Sequence, residues 1–144
     1  MKNRKLIAVS GGFDPVHIGH IRMIAHAASI GDVVIILNSD EWLTRKKGYS
    51  FMTWDQRAEI MRNIKGVIDV VECDDSDGTV CDGLKFLKKN MNLTSFANGG
   101  DRLDTNTPEM DVCKNLNIEL IWNCGGEKIE SSSELVETAR LRNT

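Results

Sequence analysis

A short apolar run, Leu6-Ile7-Ala8-Val9, passes into Ser10-Gly11-Gly12. After Phe13-Asp14-Pro15-Val16 come Ile21, Ile24, Ala25 and Ala28, spaced as one helix face. Buried strand, glycine turn and helix in that order constrain the fold more than any other feature of the chain, because this is how an α/β unit begins. Such a junction points backbone N–H groups at whatever lies above it, which favours phosphate. The helix start carries His17-Ile18-Gly19-His20, two imidazoles three residues apart. They add hydrogen-bond donors aimed at an anion, and Gly19 removes a side chain so that phosphate approaches the backbone. The expectation is a nucleoside triphosphate site.

Strand and helix signals then alternate to the end. Asp32 to Leu37 is a second buried strand, entered through Gly31. Thr53-Trp54-Asp55-Gln56 has the form of a capping box and opens a helix with Ala58, Met61 and Ile64 as its stripe. Val67 to Val71 reads as a third strand, Thr79 as the cap of a helix carrying Leu84, Leu87 and Met91, and Thr94 to Ala97 as a fourth strand. Thr107-Pro108 starts a helix that ends near Asn117, Ile118 to Trp122 is a fifth strand, and Ser131 to Arg142 a closing helix. The expected fold is α/β and Rossmann-like: one domain over residues 1–144, with a five-stranded parallel sheet and helices on both faces. In such sheets ligands bind at the carboxyl ends of the strands. That rim comprises residues 10–20, 38–48, 72–79, 98–107 and 123–133.

Composition narrows the function classes. With 144 residues the chain is long enough for a sizeable core. A net charge of −3 implies no general affinity for nucleic acid, and no apolar run approaches membrane-spanning length. The cysteines at 73, 81, 113 and 124 fit no zinc-knuckle or CxxC spacing. With no secretion signal, reduced thiols in a cytoplasmic protein are expected. No metal-ligand motif is present.

Gly-Gly-Phe-Asp-Pro-Val-His-Ile-Gly-His, residues 11–20, resembles the signature of the cytidylyltransferase-like nucleotidyltransferase superfamily. That superfamily includes glycerol-3-phosphate cytidylyltransferases and heptose-phosphate adenylyltransferases. The resemblance implies a nucleotide site built from Gly11, Gly12, Phe13, Asp14 and Gly19, with His17 and His20 on the triphosphate. Asp14 also suits a helix-start cap, and Phe13 suits the core. Asn38-Ser39-Asp40 is similar to the Asn-Ser-Asp of heptose-phosphate adenylyltransferases. Arg45-Lys46-Lys47-Gly48 follows, a solvated charge run by composition, but placed where family members fold a mobile basic loop over phosphates. Lys46 is the choice for that catalytic role, with Lys47 the competitor. Arg57 matches an arginine of similar proteins and is assigned to the acceptor; a plain helix-face cation is the alternative.

Asn98-Gly99-Gly100-Asp101-Arg102 resembles the nucleotide-contacting loop of the same enzymes and assigns Gly100, Asp101 and Arg102 to the nucleotide; a plain turn competes. Ser131, Ser132 and Ser133 stand where members carry a Ser/Thr run cupping the β- and γ-phosphates, whereas one helix cap would need a single serine. Two positions depart from the pattern: Gly126 replaces an expected arginine, and Glu130 an isoleucine. The loop Asp74-Asp75-Ser76-Asp77-Gly78-Thr79 offers Asp75, Asp77 and Thr79 to the hydroxyls of an acceptor, or is a solvated acidic turn.

The resemblance implies transfer of CMP from CTP to a polyol, sugar or alcohol phosphate, with Mg²⁺ carried on the phosphates and pyrophosphate released. The alternatives are ATP as donor and a non-catalytic nucleotide sensor, the latter motivated by Gly126 and Glu130. Trp42, Tyr49, Phe51 and Trp54 fall within thirteen positions and, with the resemblance, point to a homodimer.

Overall fold

The computed structural model describes residues 4–99, 107–122 and 124–125. Within them the order is β1 (Lys5–Gly11), α1 (Ile18–Ile30), β2 (Gly31–Leu37), α2 (Asp40–Lys47), α3 (Trp54–Arg62), β3 (Val67–Glu72), α4 (Cys81–Met91), β4 (Ser95–Ala97), α5 (Pro108–Leu116) and β5 (Glu119–Ile121). All strand pairings are parallel, in the order β3-β2-β1-β4-β5. The alternating α/β reading therefore holds, and the five strands fall within two residues of their expected limits. The expected closing helix over 131–142 lies outside the described residues.

Side-chain alternation along the central strands divides the core in two. Ile7, Val9, Val33, Ile35 and Leu37 face α1 and α3 through Ile24, Ala27, Ala58 and Met61. Leu6, Ala8, Val34 and Ile36 face α4 and α5 through Leu84, Leu87 and Cys113. Ile7, Ile24, Ile35, Leu37 and Leu84 are fully buried, each contributing about 1.5–3 kcal/mol. Both faces being covered is why β1 and β2 read as continuous apolar runs. Gly83 lets α4 lie close on the sheet: a Cβ there would stand 2.9 Å from the Ile36 side chain. All four cysteines are free, and burial pushes the thiols of Cys73 and Cys113 up, to about 12 and about 11.

Three local expectations need correction. The basic run at 45–47 is no loop but the last turn of α2. Ser39 caps that helix by accepting from the Trp42 amide, Asp40 and Glu41 fill its first turn, and Gly48 closes it at φ +86°. Acids at the N-terminus and bases at the C-terminus complement the helix dipole, so the charge run belongs to the helix stop. Val80, and not Thr79, stands at the cap of α4; Thr79 Oγ1 accepts instead from the Cys81 amide at 3.3 Å. Of the four clustered aromatics, Trp54 donates from Nε1 to Leu37 O at 3.1 Å and packs on the core. Trp42 and Tyr49 are half-buried and Phe51 is exposed, so the aromatic argument for a dimer reduces to Phe51.

Strand order 3-2-1-4-5 places a topological switch between β1 and β4, where connections leave in opposite directions. The crevice outside the carboxyl ends of those two strands is the ligand position in open α/β sheets. Residues 12–17 and 98–99 border it.

Candidate active site

The two histidines form the cap of α1. His17 is the N-cap residue, and its Nδ1 accepts from the Gly19 amide at 3.1 Å. His20 returns the bond: its Nδ1 accepts from the His17 amide at 3.2 Å. This is a capping box made of imidazoles in place of Ser and Glu. The rings stack 3.8 Å apart at 24°. An Nδ1 that accepts must carry no proton, so each ring holds its proton on Nε2. The cap thus fixes the tautomer as well as the ring position, and both donors belong to the junction beside the β1–β4 switch.

Gly19 has a different reason from the expected one. A Cβ there would stand 3.0 Å from His17 Cε1, and the Gly19 amide is spent on the cap. Its missing side chain makes room for the His17 ring. Gly12 is likewise a packing glycine, since a Cβ would meet Leu43 Cδ2 at 2.6 Å. A Cβ on Gly11 would press on the Phe13 ring at 3.2 Å. Phe13 is buried at φ +49°, edge-on to His20 with ring centroids 4.8 Å apart, so it supports the histidine from the core.

Below the histidines lies a polar clamp. Asp14 is buried, and its two oxygens accept from the amides of Phe51 and Met52 at 2.6 and 2.7 Å. It ties the turn after β1 to the α2–α3 connection, so the cap-like role and not the ligand role describes it. Arg57, expected at the acceptor, is fully buried. Its Nη1 donates to Gly12 O (2.9 Å) and Asn38 O (2.8 Å), Nε to Met52 O (3.0 Å) and Nη2 to Asp40 Oδ1 (2.6 Å). Its guanidinium is committed to the protein, which corrects the acceptor assignment.

Lys46 and Lys47 separate clearly. Lys46 is exposed and lies over the Trp42 ring at 4.7 Å. Lys47 turns inward: Nζ donates to Asp14 O at 2.8 Å and stands 3.6 Å from Asp14 Oδ2. Only 14% of its side chain is exposed. The lysine beside the β1–α1 turn is therefore Lys47.

The acidic loop is accounted for internally. Asp75 is buried, accepting from Asn38 Nδ2 (3.1 Å), Ser39 N (2.8 Å) and Ser39 Oγ (2.6 Å). It joins the exits of β2 and β3 and does not face a ligand. Asp74 accepts from Ser76, and Asp77 from the amide and hydroxyl of Thr79. Those bonds hold both carboxyls below their usual range. Asp77 and Thr79 remain at the rim but bond each other. Gly100, Asp101, Arg102, Ser131, Ser132 and Ser133 lie outside the described residues. Among the described residues no group of three His, Cys, Asp or Glu side chains is placed to hold a metal ion, and no helix is long and apolar enough to cross a membrane.

Known proteins resemble this chain in sequence and in fold. A bifunctional protein HldE from Aliarcobacter butzleri is 29% identical over 118 residues, 80% of this chain but 24% of its own length. The chain thus spans about a quarter of that relative. A FAD synthase from Thermococcus sibiricus is 30% identical over 125 residues, covering 83% of this chain and 81% of the relative. Among solved structures, the lipopolysaccharide core biosynthesis protein from Thermoplasma volcanium superposes with a TM-score of 0.67 at 15% identity, over 89% of this chain and 100% of that one. Thermotoga maritima TmcAL, bound with alpha-thio ATP, gives 0.66 at 12% identity, over 96% of this chain and 51% of that one. At such identities the structures share the fold. The family model described as cytidylyltransferase-like matches residues 8–143, and the chain belongs to that family of the nucleotidyltransferase superfamily.

Proposed function

We propose that the chain is an adenylyltransferase that joins AMP to a small phosphomonoester. An acceptor phosphate oxygen attacks the α-phosphorus of ATP, the bond to the β-phosphate breaks, and pyrophosphate leaves. The observation that carries this reading is the imidazole capping box. It holds both imidazoles at the helix start beside the switch-point crevice, with each ring's proton on Nε2, and positioned imidazole donors suit the developing charge on phosphate oxygens. No covalent protein intermediate is needed. Lys47 adds a cation one residue's reach from the same turn, and Ser131 to Ser133 and Gly100 to Arg102 take the phosphates and the nucleoside by family resemblance.

The donor expectation moves from CTP to ATP. A relative covering most of this chain is named for FAD, a dinucleotide with an AMP half, and a structural neighbour holds an ATP analogue. The other half of FAD is a flavin on a phosphorylated polyol chain, the same acceptor class as the polyol and sugar phosphates expected from the sequence. Mg²⁺ suits a place on the triphosphate: among the described residues Asp14 and Asp75 have their oxygens engaged, and triphosphate oxygens hold magnesium with few protein ligands.

The test is pyrophosphate release from ATP and from CTP with FMN, sugar 1-phosphates and glycerol 3-phosphate. ATP with one of the polyol-type phosphates should turn over. Release from CTP alone reverses the donor, and nucleotide binding without turnover across the panel supports the sensor reading.

The lysines give a second check. Lys47→Ala should raise KM for ATP and lower kcat, for a combined loss in kcat/KM of about tenfold or more. Lys46→Ala, on the exposed face of α2, should stay within about twofold. The reverse ranking in steady-state kinetics would return the role to Lys46.

A further inference from the structure

Ser10 lies near the end of β1 and Asn98 directly after β4, at the carboxyl ends of the two strands that flank the topological switch. The parallel register pairs Ala8 with Phe96. Two residues on, Ser10 stands opposite Asn98, in neighbouring strands about 4.8 Å apart. Ala8 and Phe96 belong to the half of the core that faces α4 and α5, and positions two residues along a strand share its face. The backbone of Asn98 is fixed: its amide donates to Ile121 O at 2.7 Å, and its carbonyl accepts from the Cys124 amide at 2.9 Å. The turn beyond is seated on α1, where His26 Nδ1 accepts from the Gly125 amide at 2.9 Å.

Both side chains are half-buried, yet their polar capacity is largely unspent. Among the described residues Ser10 Oγ makes no hydrogen bond and Asn98 Oδ1 accepts none, while Asn98 Nδ2 has one long contact, to Phe96 O at 3.5 Å. Asn38, at the exit of β2, differs: its amide is buried and donates to Asp75 at 3.1 Å. Polar groups set into an otherwise apolar face and left without protein partners are satisfied from outside the protein, by water or by a ligand.

We propose that Ser10 and Asn98 determine acceptor specificity by binding hydroxyl groups on the carbon chain of the phosphomonoester. The role rests on the function proposed above, in which the histidine cap holds the triphosphate. α1 covers the opposite face of the sheet, that of Ile7 and Val9. In transfer at phosphorus the attacking and leaving oxygens stand roughly in line. Pyrophosphate leaving toward the cap therefore requires attack from the α4–α5 side, where Ser10 and Asn98 stand. Their chemistry selects the group they bind. A serine hydroxyl and a carboxamide each donate and accept and carry no charge. A hydroxyl also donates and accepts, whereas a phosphate dianion only accepts and is better met by cations.

The experiment measures Ser10→Ala and Asn98→Ala with ATP and each of FMN, glucose 1-phosphate and glycerol 3-phosphate. Propyl phosphate, a phosphomonoester without hydroxyls, serves as a competitive inhibitor. Each variant should raise KM for the hydroxylated acceptor about three- to tenfold, with KM for ATP and Ki for propyl phosphate within about twofold of wild type. Asn98→Ser, which keeps a hydroxyl, replaces Asn98→Ala in the comparison if the alanine variant fails to fold. An unchanged acceptor KM in both variants overturns the inference. So does a Ki for propyl phosphate that rises with the KM, because the loss then concerns the phosphate or the fold of the site. A rise in KM for ATP alone gives the pair to the nucleotide and overturns the inference while leaving the function standing. A wild-type chain that releases pyrophosphate with none of the three acceptors overturns the function and this role together.

Discussion

Replacing either His17 or His20 by asparagine should lower kcat by about 10²- to 10³-fold while leaving the helix in place. The reasoning separates two jobs done by one ring. Nδ1 closes the cap, and asparagine offers Oδ1 as an acceptor at about the same distance from the backbone; at His17, the N-cap itself, it is among the best residues. Nε2–H lies across the ring, and asparagine puts nothing there. Loss of one donor to charge that grows in the transition state costs about two to three powers of ten. Alanine removes both jobs, so it should match asparagine in kcat and fall below it in stability by about 1 kcal/mol. Steady-state kinetics with ATP and thermal melts on the four variants decide the matter. Asparagine variants with near-normal turnover would remove the histidines from the chemistry and leave them as a cap.

That double duty shows where the sequence could be read and where it could not. The Gly-Gly turn and the two histidines fall within residues 11–20, so their junction is legible as a local pattern. The cap between them has no sequence signature, because Ser, Thr, Asp and Asn are the residues that usually stand there. Alternation of strand and helix was legible because both faces of the sheet are covered, which makes β1 and β2 continuous apolar runs. The basic run at 45–47 was misplaced although its signal was present. Ser39 followed by Asp40 and Glu41, with Gly48 after the bases, is a helix start and stop in ten residues. The contacts of Asp14, Asp75 and His26 had no local signature at all. Each joins segments more than thirty residues apart, and only the strand order brings those partners together.

Arg57 is the instructive case, and it carries the second large expectation. Trp54, Arg57, Ala58 and Met61 follow the i, i+3, i+4, i+7 spacing of one helix face, so periodicity already put the arginine on the buried side. Its four hydrogen bonds hold the turn after β1, the exit of β2 and the approach to α3 in one cluster. Arg57→Met keeps much of the volume and removes a donor from three carbonyls, of which, among the described residues, only Met52 O keeps another, from Ser50 Oγ. Each such loss costs about 1–3 kcal/mol. With some water entering, the total should come to about 3–4 kcal/mol, a fall in melting temperature of roughly 10 °C for a chain of this size. Arg57→Lys should recover little, because one ammonium cannot span carbonyls that a planar fork reaches in several directions. Asp40→Asn discriminates between the two kinds of bond. The Asp40 side chain is 41% exposed, so the ion pair itself is screened and should contribute less than about 1 kcal/mol. Urea unfolding of the three variants would then rank Arg57→Met and Arg57→Lys far below Asp40→Asn. If Asp40→Asn costs as much as either arginine variant, the ion pair and not the carbonyl clamp holds the turn. If Arg57→Lys melts near the parent, the guanidinium geometry is dispensable, and the turn that carries the histidine cap must be held by Asp14 and the two amides it binds.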